Sequence, residues 1–73
     1  MLLNDLLPGN KGIVKKIVGN PKLVKRLSAL GCIEGTEIKI IRTAPLGDPI
    51  IINFKGFNLA IRKKDAKNIY ILT

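Results

Sequence analysis

The sequence predicts a mainly β fold, a small β-barrel of about five strands with one inserted amphipathic helix. Three observations carry that reading. Short segments rich in isoleucine and valine recur along the chain, each bounded by glycine or proline. Only one stretch, after Asn20, has helical periodicity. The chain has 73 residues, which confines it to one domain spanning 1–73.

The first strand is expected over Lys11 to Val18, after a helical turn near Leu3 to Leu7 and a tight turn at Pro8-Gly9-Asn10. Its alternation is imperfect, because Ile13 and Ile17 share one parity and Val14 and Val18 the other. A bulge or two-sided burial would reconcile them. Asn20 then reads as a helix cap and Pro21 as the first helical residue. Leu23, Leu27 and Leu30 come next on one face, with Lys22, Lys25 and Arg26 opposite. Gly31 is placed to end the helix in a left-handed conformation. This stripe is expected to cap an open end of the barrel.

Strands account for most of the chain beyond Gly35. Thr36 to Thr43 places Ile38 and Ile40 inward and Lys39 and Ile41 outward. Ala44 to Pro49 holds two prolines and a glycine and reads as a loop. Ile50, Ile52 and Phe54 share a core face in the strand to Lys55. Gly56 marks a turn, and Phe57, Leu59 and Ile61 share a face in the strand beyond it. Lys63 to Asn68 is polar, with room for one helical turn, and Ile69 and Ile71 belong to a last strand. Ile41, Ile51 and Leu72 take the parity opposite to the core, which would put apolar groups on the outer face.

Composition narrows function chiefly by what is missing. There is no histidine and one cysteine, Cys32, so the commonest general base is absent and an internal disulfide is impossible. Cys32, in the context Gly-Cys-Ile, reads as a small buried hydrophobe. Glu34 and Glu37 flank Gly35 at a strand start, where exposed carboxylates are ordinary. No zinc, calcium, Walker or dinucleotide pattern occurs. No apolar run reaches bilayer length, and the N-terminus lacks the features of a signal peptide. The chain is therefore expected to be a cytoplasmic, non-enzymatic protein that needs no cofactor and works by binding.

The net charge of +8 suggests an anionic partner. A small basic nucleic-acid-binding barrel is one reading. Such barrels use exposed aromatics as stacking platforms, and here only Tyr70 is expected to be exposed, since Phe54 and Phe57 have core parity. Stable nucleic-acid binding is accordingly not the leading expectation.

Leu7-Pro8-Gly9 with Lys11-Gly12, Arg26-Leu27 with Leu30-Gly31, Glu34-Gly35-Thr36, the loop Ala44-Pro45-Leu46-Gly47-Asp48-Pro49, and then Gly56, Leu59, Ile61-Arg62 and Ala66 form an ordered pattern. In that order and spacing the chain resembles the FeoA family, the small cytoplasmic component of bacterial ferrous-iron uptake. The resemblance implies an SH3-like barrel with a helical insertion. It implies a partner as well, the cytoplasmic GTP-binding region of the membrane transporter FeoB, and through it an indirect link to the membrane. The expected contact residues are Pro45, Leu46, Gly47, Asp48 and Pro49 of the loop, together with Arg62. The chain departs from the family at Cys32, where an aliphatic is usual, and at Lys22 and Lys25, where acidic residues are frequent.

Overall fold

Isoleucine-rich segments with no disulfide to hold them must bury a shared face, and the chain does so by coiling one sheet. A computed structural model describes residues 1–73. The strands are β1 (Lys11–Ile17), β2 (Glu37–Thr43), β3 (Ile50–Phe54), β4 (Phe57–Ile61) and β5 (Ile69–Leu72). They form one antiparallel sheet in the order β4-β3-β2-β1-β5. Helix α1 (Pro21–Ala29) lies between β1 and β2, and the single turn α2 (Lys63–Ala66) joins β4 to β5. The expected mainly β architecture with one amphipathic helix is what forms.

Two bulges reconcile the imperfect alternation. In β1, Val14 faces Ile71 and Lys16 faces Tyr70, so Lys15 is the extra residue. Strict alternation from the buried Val14 would turn Lys16 inward. The bulge sends Lys16 outward and brings Ile17 back against the core. In β2, Ile40 faces Ile52 and Arg42 faces Ile51, so Ile41 is the extra residue. It stands on the outer surface, as its parity suggested.

The core gathers Val14, Ile38, Ile40, Ile50, Ile52, Phe54, Ile61, Ile69 and Ile71 from the strands, Leu23 and Leu27 from α1, and Leu3 and Leu6 from the N-terminal turn. Each fully buried aliphatic contributes about 1.5–3 kcal/mol relative to exposure. Leu30 closes the helix at the rim rather than in the core, because it is already the cap residue. Phe57 is likewise displaced from its expected core position. It flanks the turn Lys55-Gly56 and is 42% exposed, leaning edge-on against Phe54 with ring centroids 4.8 Å apart.

Local chemistry sets the ends of α1. The Asn20 side chain accepts a hydrogen bond from the Lys22 amide at 2.9 Å. At the other end the Cys32 amide donates to Leu27 O and the Gly31 amide to Ser28 O. This is a full Schellman arrangement, which needs the left-handed Gly31 (φ +90°). It carries Cys32 straight into the core. Thr36, the one buried polar residue, donates from its hydroxyl to Gly31 O and accepts from the Ile33 amide, closing the 31–36 connection.

Gly12 is packed so closely that a Cβ there would overlap the Ile71 side chain and approach Leu72 O at 3.3 Å. Gly12→Ala is therefore expected to destabilise the fold by about 1–3 kcal/mol, read as a lower urea midpoint with an unchanged slope.

Candidate functional site

The loop between β2 and β3 is closed on itself. The Gly47 amide donates to Ala44 O at 2.7 Å and the Ala44 amide to Pro49 O at 2.9 Å. Pro45 occupies the second position of that turn, where its fixed φ is favourable. Gly47 follows with φ +86°, and a Cβ there would also crowd the Lys63 ammonium at 3.2 Å. Leu46 stands at the tip with 96% of its surface exposed.

Asp48 has a different task. Its Oδ1 accepts a hydrogen bond from the Lys63 amide at 3.0 Å. Lys63 is the first residue of α2, whose own cap residue Arg62 makes no side-chain cap bond. Asp48 thus caps from a distance, satisfying an amide that the short helix leaves open. The bond ties the loop to the β4–α2 corner.

That tie places two expected contact residues together. Pro49 and Arg62 line one depression of about 410 Å³ with Arg26, Ala60, Lys64 and Asp65. Three cations therefore converge there from α1, the end of β4 and α2. The expected site residues divide four ways: Pro45 and Gly47 build the turn, Leu46 projects from the loop tip, Pro49 and Arg62 border the depression, and Asp48 faces α2. Arg26 and Lys64 were not among the expected site residues. Helical spacing sets Arg26 on an exposed face, but nothing local says which neighbour that face meets.

A second basic concavity, of about 480 Å³, lies across the outer sheet face and is lined by Lys11, Lys39 and Lys55 with Glu37 and Asn53. Lys11 and Lys39 are direct cross-strand partners, an unfavourable like-charge pairing. Tyr70 is not the open aromatic platform that its position suggested. It is half-buried, bridged to Leu2, and its ring carries the Lys16 ammonium at 4.9 Å.

Cys32 is completely buried. Desolvation pushes its thiol pKa up, opposed in part by the positive charge of Lys55. No three His, Cys, Asp or Glu side chains gather as metal ligands, and no helix is long and apolar enough to cross a membrane.

Comparison with known proteins agrees with this geometry. A family model described as the FeoA domain matches residues 1–72. A fusion of Fe(2+) transport protein A with the Fe(2+) transporter FeoB, from Porphyromonas gingivalis, is 28% identical over 71 residues. That match takes in 97% of this chain and 8% of the fusion protein's length. Among solved structures, FeoA from Chlorobium tepidum superposes with a TM-score of 0.93 at 37% identity, covering 97% of this chain and 68% of that one. Zinc-complexed FeoA from Stenotrophomonas maltophilia, described as a prokaryotic SH3 domain protein, gives 0.76 at 26% identity, covering 99% of this chain and 89% of that one.

The distant cap and the buried thiol each lead to an expected outcome. Asp48→Ala should cost about 0.5–2 kcal/mol and speed amide exchange at Lys63, whereas Asp48→Asn should keep most of the bond. Because folding raises the Cys32 pKa, the folded state holds its proton longer than the unfolded one. The stability linked to this group is complete below the unfolded thiol value of about 8.5 and is lost as pH climbs above it. Denaturation midpoints of wild type and Cys32→Ala should converge between neutral pH and alkaline pH, and a constant difference would contradict the assignment.

Proposed function

Because the chain belongs to the FeoA family, which is associated with Fe(2+) transport, we propose that it is a non-catalytic cytoplasmic accessory protein that binds the GTP-binding region of a FeoB-type transporter. The observation that carries this reading is Leu46. A large apolar side chain is 96% exposed on a loop fixed by two internal backbone bonds and by Asp48. An anchor already held in place loses little entropy on binding, which favours its use as a contact residue.

The fused relative supports the choice of partner. In that protein the two names are carried by a single chain, and joining two modules turns their encounter into an intramolecular event at high effective concentration. In the separate chain, the same encounter relies on the affinity of the surface itself. The loop tip would supply an apolar anchor, and Arg62 with its neighbours a polar margin. This matches the usual division of an interface into a desolvated centre and a wetter rim.

Calorimetric titration of the isolated chain with the FeoB cytoplasmic GTP-binding domain tests the proposal. Leu46→Ser should weaken binding at least about tenfold, equivalent to about 1.4 kcal/mol. It should change folding stability by less than about 0.5 kcal/mol, as expected of a surface position. Absence of any binding at about 100 μM of each component would reject the partner.

A further inference from the structure

We propose that the free edge of β4 is a docking site for an extended acidic segment of a partner protein, which adds to the sheet as a sixth strand and places carboxylates against Arg26, Arg62 and Lys64. The inference rests on the reading of the chain as a binding module, but it does not require FeoB to be the partner.

The two edges of the sheet are treated differently. Beyond β5, the N-terminal segment covers the backbone: Leu2 bridges Tyr70, the Ile71 amide donates to Met1 O at 2.7 Å, and the amino terminus donates to Ile71 O at 3.3 Å. Strand β4 pairs only with β3. The two are joined by the two-residue turn Lys55-Gly56, both residues having positive φ, and the flanking pair is Phe54 with Phe57. In such a hairpin the flanking pair is hydrogen-bonded and the pattern then alternates. Phe57, Leu59 and Ile61 therefore bond to β3, while Asn58 and Ala60 turn their N–H and C=O groups outward. Both residues are exposed, and no turn, loop or cap bond engages either backbone. An open row of this kind is a template for strand addition.

Charge selects the occupant. Ala60 also lines the depression where Arg26, Arg62 and Lys64 converge, with Asp65 the one acid among the lining residues. A strand laid along β4 would pass over these cations. A second copy of this chain would bring the same cations against them, within a molecule of net charge +8, and like charges across an interface are strongly disfavoured. An acidic segment gains from the same field.

The probe is a blocked peptide of about nine residues, alternating glutamate with valine and threonine, added to isotopically labelled protein up to about 1 mM. The Asn58 and Ala60 amides should shift and exchange more slowly with solvent, and binding should weaken as salt is raised. A peptide of the same charge interrupted by prolines, which cannot form the ladder, should bind at least about tenfold more weakly. A peptide with lysine for glutamate should not bind. Ala60→Pro removes an outward N–H without touching the β3 ladder and should abolish the effect. If that variant does not fold, the proline peptide on the wild-type chain carries the same comparison.

The proposal is overturned if the shifts fall on Lys11, Lys39 and Lys55, if the proline peptide binds equally well, or if folded Ala60→Pro binds undiminished. Shifts at β4 that depend on protein concentration alone would indicate a second copy and overturn it too. A flat peptide titration with retained binding to the FeoB domain rejects this inference alone. Peptide binding with no response to the FeoB domain rejects the transporter as partner and leaves the acidic strand standing.

Discussion

A single sheet must bury one of its own faces, and the rest of this molecule depends on how that is done. With one cysteine and no second sheet to pack against, five strands have to coil around a shared core. Regular alternation would defeat the attempt, since Lys16 and Arg42 would then point inward from β1 and β2. The extra residues Lys15 and Ile41 change the parity where the chain needs it and increase the local twist. Both bulges fall where a strand leaves one neighbour and continues beside another: β1 passes from β2 to β5, and β2 from β1 to β3. The bulges therefore mark the corners of the coil.

The same economy joins the fold to the surface. Helix α2 is a single turn with no side-chain cap of its own, and a helix that short is unstable alone. Asp48 stabilises it from another element, and in doing so fixes the β2–β3 loop against the β4–α2 corner. A loop held in this way can display Leu46 without collapsing onto the barrel. Its rigidity arises from backbone bonds and one carboxylate rather than from burial, which is why an exposed apolar residue can keep a defined position.

The sequence made the elements legible because each has local chemistry: Asn20-Pro21 at the helix start, Gly31 at its end, and isoleucines at alternate positions. The β1 bulge was legible too, as a conflict of parity between Val14 and Ile17. The corner of the site was not. Capping rules look three residues along the chain, whereas Asp48 reaches Lys63 fifteen positions away. Phe57 has core parity but sits beside a tight turn, where the sheet no longer covers it. Lys55 adopts a positive φ of 50° at a position that usually favours asparagine or glycine, so only Gly56 announced the turn. The convergence of Arg26, Arg62 and Lys64 depends on three elements meeting, and no local pattern contains it.

Net charge alone could not choose among partners, but the placement of the charges separates them. Lys16 covers the Tyr70 ring, so the aromatic that sequence position had left open to a base is occupied, and the partly exposed Phe57 is held edge-on against Phe54. Lys11 and Lys39 oppose each other across the sheet, so part of the charge raises the energy of the fold instead of marking a site by itself. The cations beside β4 differ, because they adjoin backbone groups with directional requirements. Charge draws any anion, and a phosphate chain would satisfy it equally well. An open ladder accepts only another backbone in extended form. Where the two coincide, recognition demands both an acidic partner and a strand, which is more than either feature specifies alone.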